Sequence, residues 1–344
     1  MIKAQRDIWV DNVKVLSCIL VSVGHFLQSM VRAYILPDTD LFYWFDQTIY
    51  YFHVPLFFIC SGYLYQKYSV VNSASSWYRN VCKKGIVLGI PYVVFSSVTW
   101  VLKTLFAGAV NEEVGGFFPT LLISPIAPYW FLYTLFFVFA VTPTITGPKT
   151  ALAVTGLAAV LKLAGLLGMG TGIFAVDTVM EYEIWFVLGM GLSAAGLDGK
   201  LPKKSGLILG GIFLGLFLWL SNAAYVRQTA FPGSDFLLGM VACAAVILWM
   251  MAKYADGKQT RLMGYLSRYT MPIFLMHTIC AACLRTILNG LLVESALIHV
   301  AVGLAGSFVG PILAADIMKY LKWPEFFLYP GKFIKMKSRR DSFV

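Results

Sequence analysis

Lys14 and His25 lie eleven residues apart in the first apolar run of the chain, with Asp7 and Asp11 just ahead of them. An ionisable group inside a bilayer costs roughly 2.5–3.5 kcal/mol on insertion scales, so each is a default candidate for function. In a helix, eleven steps of about 100° leave only about 20° of rotation, so both side chains share a face, about 16 Å apart along the axis. Lys14 then sits near the inner edge of the span, and His25 lies about two thirds of the way across. Asp11 is three residues from Lys14 and can pair with it. A fixed cation can hold an anion. A neutral imidazole can take a proton from an attacking hydroxyl.

The elements that would hold such a pair are apolar helices. The 344 residues are 59% hydrophobic and 13% charged, where a soluble domain carries about 25% charged residues. Mean hydropathy is +0.74. Runs of about 20 apolar residues predict spans near 11–31, 47–66, 84–106, 128–146, 150–168, 182–198, 206–226, 236–254, 270–290 and 295–321. With the N-terminus inside, 22 of the 27 basic residues fall in inner segments, while Arg32, Lys103, Arg227 and Arg285 fall outside. The positive-inside rule therefore supports ten spans with both termini cytoplasmic. The expected architecture is an all-α integral membrane bundle of about ten transmembrane helices. Residues 1–325 form that domain and 326–344 a basic cytoplasmic tail. The first run has no small-residue cleavage site and is expected to be a retained span. The net charge of +10 sits in short connections and in the tail, which points to anionic lipid headgroups rather than nucleic acid. Residues 107–127, with Glu112 and Glu113, are expected to cover an outer site, and the basic segment 255–269 to lie on the inner surface.

The stretch DNVKVLSCILVSVGH, with Asp11, Lys14 and His25, resembles the opening of the bacterial membrane-bound acyltransferase family three. Members of that family carry Arg or Lys, ten residues, then His. YFHVPLFFICSGYLY is similar to the family's second helix, above all in its fucose-4-O-acetylase-like branch, and YWFLYTLF and SRYTMPIFLMHT resemble later segments. The likeness extends over the whole chain, including the number of spans. It implies an acyl-CoA donor, acetyl-CoA or another, on the cytoplasmic side and an acceptor reached from the opposite side. Lys14 would hold the CoA phosphates. The pantetheine arm, comparable in length to the Lys14–His25 separation, would present its thioester near His25, the general base. Ser61 and His277 are candidate donor contacts, although Ser61-Gly62 also suits a close helix approach.

Other residues carry weaker signals. His53, about 9 Å deep in the second predicted span, can orient His25, bind acceptor, or cap a carbonyl freed by Pro55. Trp130 and Tyr133 suit an aromatic belt or stacking on a sugar ring. Glu181 and Glu183 suit a solvated helix N-terminus; one that faced His25 would raise its basicity. Arg285 needs an anionic partner, whether Glu181, Glu294 or the acceptor. Lys162 is a lone cation able to snorkel, with no assigned role. His299 reads as incidental, and the Cys280–Cys283 pair as packing. No metal-ligand cluster, phosphate-cradling loop or nucleophile elbow stands out.

The leading reading is O-acylation, acetylation above all, of a hydroxyl on a cell-surface carbohydrate or its lipid-linked precursor, in the bacterial plasma membrane. The spans leave no room for the extracytoplasmic esterase-like domain that some relatives carry. The acyl group then passes to the acceptor directly or through a separate extracytoplasmic partner. The alternatives are a polytopic transporter of a small polar or lipid-linked substrate and a scaffold for a cell-wall complex.

Overall fold

The structure is a computed structural model describing residues 7–107, 114–196, 202–227 and 233–334. Lys3, Arg6, Glu112, Glu113, Lys200 and the tail beyond Ile334 lie outside the described residues, as does the side chain of Arg227. Among the described residues every regular element is helical. In chain order these are α1 (Ile8–Arg32), α2 (Asp40–Tyr50), α3 (His53–Tyr68), α4 (Ala74–Lys84), a π-helical turn (Gly85–Gly89) and α5 (Ile90–Leu105). Next come α6 (Phe117–Leu122), α7 (Trp130–Val141), α8 (Pro148–Leu166), α9 (Phe174–Ala194), α10 (Lys203–Arg227) and α11 (Ser234–Lys253). The chain continues with α12 (Arg261–Leu266), α13 (Thr270–Gly290), α14 (Ala296–Leu321), α15 (Glu325–Leu328) and α16 (Pro330–Phe333). The residues divide into two compact units: Met1–Val70, Thr144–Gly172 and Val176–Thr270 form the first, and Val71–Pro143, Ile173–Ala175 and Met271–Val344 the second.

Seven helices among the described residues are long and apolar enough to cross a membrane: Ile8–Arg32, Ala74–Leu105, Pro148–Leu166, Lys203–Val226, Ser234–Lys253, Thr270–Gly290 and Ala296–Leu321. The other three predicted spans fall on different material. Span 128–146 becomes the short apolar helix α7, about 18 Å long at 1.5 Å per residue. Span 182–198 becomes α9, which starts at Phe174 and carries Asp177, Glu181 and Glu183. Span 47–66 is not one helix: the chain turns at Tyr51-Phe52, between α2 and α3. Pro55 sits in the first turn of α3, where a missing N–H costs nothing.

In the first unit α1 and α3 run antiparallel. The Asp7 carboxylate, ahead of α1, accepts from Lys67 Nζ (2.5 Å) and the Tyr68 hydroxyl (2.8 Å) at the end of α3. The Cys60 thiol faces Val10 O one level further in. α3 meets α9 backbone to backbone: a Cβ on Gly62 would strike Phe186 O, and one on Gly189 would strike Ile59 O. Small residues at such a crossing let two helices approach closely in lipid. Gly239 of α11 approaches Tyr51 O and the Trp185 ring in the same way. Tyr51, Phe217, Leu238 and Ala242 form an apolar cluster between α10 and α11. The segment after α11 returns to α1 through Gln259 Nε2, which donates to Asn12 Oδ1 at 2.8 Å, and α12 is capped by the Thr260 hydroxyl accepting from Met263 N.

In the second unit α4 begins at Ser73 with a reciprocal Ser73–Ser76 cap. The π-helical turn ahead of α5 has a local cause: Pro91 cannot donate to the carbonyl four residues back, and the register opens there. Fully buried Tyr129 joins three helices: its hydroxyl meets Thr99 Oγ1 of α5 (2.8 Å) and donates to Leu275 O of α13 (2.9 Å). Glu325 and residues 326–333, the latter assigned to the tail by sequence, include α15 and α16, with Leu328 and Pro330 buried.

Candidate active site

α1 carries Lys14, His25, Gln28 and Arg32 along one side, because steps of eleven, three and four residues return to nearly the same face. Lys14 and His25 are half-buried. At the Lys14 end, the charges of Lys14 and Asp11 both reach Cys60 of α3. At the His25 end, α1 packs on α2. A Cβ on Gly24, the residue before His25, would lie 2.8 Å from Ile49 Cδ1 and 3.7 Å from Tyr50 Cε2. One turn further on, Gln28 Nε2 donates to both Asp46 carboxylate oxygens, at 2.9 and 3.1 Å. Gln28 also reaches the Tyr50 hydroxyl. Burial raises the Asp46 carboxyl above its ordinary range, against the opposing pull of the Gln28 hydrogen bond and the Arg32 charge.

His53 belongs to this same group of residues. It is the first residue of α3, at the chain turn, rather than deep within a continuous span. Its Nδ1 donates to Ile49 O at 2.6 Å, so the carbonyl it caps is a buried one in the last turn of α2 and not the one Pro55 leaves free, Tyr51 O. That bond fixes the neutral tautomer with Nε2 as acceptor. The Tyr50 ring stands edge-on to the His53 ring with centroids 4.6 Å apart. Tyr182 of α9 interacts with Tyr50 and stacks on Phe58 at 4.8 Å. Ser61 is half-buried in α3 beside the Gly62 crossing.

The acidic candidates correct the sequence expectation. Glu181 and Glu183 are not at a helix start; α9 begins seven residues before Glu181, and Glu183 is buried. Glu181 accepts from Lys162 Nζ at 2.5 Å, and the same ammonium lies 5.1 Å from the Phe236 ring centroid. Lys162 is thus buried and paired, not a lone snorkelling cation.

The remaining candidates belong to the second unit. His277 is buried in α13 with Nδ1 donating to Ile273 O (2.9 Å) and Phe274 O (3.0 Å) of its own helix. Arg285, two turns on, is also buried. The Tyr133 hydroxyl donates to Leu122 O (2.9 Å), and its ring packs against Tyr92 and Phe137. Trp130 opens α7. His299 Nε2 donates to Val293 O at the start of α14. Among the described residues no group of three His, Cys, Asp or Glu side chains is placed to hold a metal ion.

Sequence reasoning did not single out Gln28, Asp46, Tyr50, Tyr182 or Tyr129 as site residues. A signal existed for three of them. Gln28 is three residues beyond His25 on the same face, and Asp46 and Tyr50 are a turn apart.

Long apolar helices with ionisable groups confined to a few protein-facing positions define a multi-pass membrane protein. A family profile described as an acyltransferase domain matches residues 7–316, and the chain belongs to acyltransferase family three. Nodulation protein NolL of Mesorhizobium japonicum is 31% identical over 146 residues, which is 41% of this chain and 36% of that protein. The chain thus spans about a third of the length of the curated relative it matches. No solved structure matches the chain.

Proposed function

We propose that this membrane acyltransferase moves an acetyl or other short acyl group from cytoplasmic acyl-CoA to a hydroxyl of a cell-surface carbohydrate or its lipid-linked precursor. The observation that carries the reading is the shared face of α1, where Lys14 and His25 stand at different depths and neither side chain is sealed in the core. Lys14, with Asp11 beside it, holds the donor phosphates at the inner edge, and Ser61 contacts the donor arm. The neutral imidazole of His25 takes the acceptor hydroxyl proton as the oxygen attacks the thioester carbonyl. A C–O bond forms, the C–S bond breaks, and the proton passes on to the departing CoA thiolate. His53, its tautomer fixed by Ile49 O, orients the reacting groups. Glu181 contributes to the acceptor side. The chain crosses the bacterial plasma membrane ten times with both termini cytoplasmic, residues 1–325 forming the catalytic domain. Anionic lipid is its surroundings, and a separate extracytoplasmic protein is the relay where transfer is not direct.

Purified protein incubated with radiolabelled acetyl-CoA tests this. The wild type hydrolyses or transfers the label, and His25→Ala does neither while remaining folded. CoA-independent flux of a polar solute in vesicles, with no acyl turnover, would instead establish a carrier. Lys14→Ala is expected to raise the acetyl-CoA KM about tenfold or more, with Lys14→Arg restoring most of it.

A further inference from the structure

We propose that Gln28, Asp46 and Tyr50, with Tyr182 behind them, form the subsite for a pyranose acceptor bearing adjacent hydroxyls. The proposal rests on the acyl-transfer reading above and specifies its acceptor side.

Three observations carry it. First, position: Gln28 is one helical turn from His25, and Tyr50 packs on the residue before His25. A ligand held by these groups is therefore adjacent to the imidazole. Second, chemistry: a carboxylate offers about four lone-pair sites, and Gln28 Nε2 occupies one on each oxygen. The remaining lone pairs of the carboxylate, which also feels the Arg32 charge, the Gln28 amide oxygen and the proton of the Tyr50 hydroxyl that Gln28 reaches are a compact mixed set of acceptors and a donor, which is what adjacent sugar hydroxyls require. Third, access: Asp46 and Gln28 are half-buried, and Tyr50 is 39% exposed, so the group is neither sealed nor freely solvated. The Tyr50 ring supplies the apolar surface that the C–H face of a pyranose packs against, with Tyr182, itself stacked on Phe58, beyond it.

A helix clamp is the competing explanation of the Gln28–Asp46 contact. It makes a different prediction. A clamp must keep α1 against α2, and its loss lowers stability and disturbs every ligand alike. A sugar subsite is read by the acceptor alone. Asp46→Asn keeps shape and removes the charge, and Gln28→Glu reverses the amide's donor role.

The experiment uses the full chain in detergent or nanodiscs, with methyl pyranosides as probes. Saturation-transfer NMR reports pyranoside binding directly, and isothermal titration reports acetyl-CoA binding. The expected result is pyranoside contact with the wild type that is lost in Asp46→Asn. Where turnover is measurable, the pyranoside KM rises at least tenfold, and the Kd for acetyl-CoA stays within twofold. Removing a single hydroxyl from the pyranoside should reduce wild-type binding but leave the weak binding of Asp46→Asn unchanged. Absence of pyranoside binding to the wild type overturns the proposal, as does equal loss of acetyl-CoA and pyranoside binding in a variant with a lowered Tm. The broader reading fails separately: pyranoside binding without any acyl turnover would keep the subsite and reject the transferase mechanism for it.

Discussion

α1 and α8 solve the same problem in opposite ways. Both are apolar enough to span a bilayer, yet half of the apolar stretch of α1 is buried inside the protein and only 17% of that of α8. The more buried helix carries far more polar groups: Asp11, Asn12, Lys14, Ser17, Ser22, His25 and Gln28. α8 carries one internal cation, Lys162, and that cation is neutralised by Glu181. A helix facing lipid must settle its polar groups within the protein. A helix half enclosed by protein can hold them for another purpose. In α1, the buried Ser17 and Ser22 hydroxyls have no hydrogen-bond partner among the described residues, which is costly to maintain without use. The contrast teaches that polarity here follows chemistry rather than exposure.

The largest expected effect tests the α1 half of that contrast. A general base contributes about 10²–10⁴-fold, so His25→Ala should cut acyl transfer by at least about 10²-fold with little change in Tm. Activity assays paired with thermal unfolding would check this. A variant that unfolds and loses activity together would make His25 a structural group and erase the distinction between the helices.

The glycine crossing comes next. Gly62→Ala puts a methyl into Phe186 O with backbone on both sides. Such overpacking costs about 1–3 kcal/mol, occasionally more. The expected outcome is a clear drop in Tm, with Gly189→Ala behaving alike because the contact is reciprocal. Gly147, beside which a Cβ would meet nothing, should accept a side chain far more cheaply. Equal costs at Gly62 and Gly147 would mean that the α3–α9 approach is looser than the structure describes.

Much of this was legible in the sequence, for identifiable reasons. The Lys14–His25 face is a property of helical period alone, so α1 could be read without knowing what surrounds it. Apolar runs gave seven long helices because length and composition are local. The break at Tyr51-Phe52 was hidden because His53 is the only ionisable imidazole in the otherwise apolar and aromatic stretch IYYFHVPLFF. Only Pro55, which fits a first helical turn, hinted at a new start. The Lys162–Glu181 pair joins residues nineteen positions apart, and no local pattern announces it. The same holds for Gln28 and Asp46, eighteen apart. Span counting also misplaced the start of α9, since three acids near its beginning resemble a solvated connection.

The Lys162–Glu181 pair tests the α8 half of the contrast, and its two halves should not respond equally. The Lys162 side chain is 6% exposed and that of Glu181 48%. Removing Glu181 strands a buried ammonium, whereas removing Lys162 leaves a carboxylate that water can reach. Breaking a fully buried pair costs about 3–5 kcal/mol, and solvent screening at Glu181 reduces that. Glu181→Ala should therefore lose about 1–3 kcal/mol, and Lys162→Met under about 1 kcal/mol. Thermal unfolding of both, and of the double variant, checks the order. Loss of activity in Glu181→Gln without loss of stability would support the place given to Glu181 on the acceptor side of the reaction.

The smallest effect concerns how the loosely packed α8 is fastened to the tightly packed α3. Gln66, near the end of α3, uses its amide as a strand would use its backbone: Nε2 donates to Ile145 O and Oε1 accepts from Ile145 N, both at 2.8 Å. Ile145 lies just ahead of α8, so one side chain fixes where that helix begins. Each such bond is worth about 0.5–1.5 kcal/mol net. Gln66→Ala should lose both, and Gln66→Glu should fare no better, because a carboxylate can accept from Ile145 N but opposes Ile145 O. Hydrogen exchange at Ile145 N separates this from a general loosening. Exchange there should rise in both variants while the Gly62 crossing keeps its protection, since the α3–α9 contact is made of backbone and does not pass through Gln66. If protection at the crossing falls as well, the two regions share one cooperative unit, and the difference between α1 and α8 is one of packing density rather than of role.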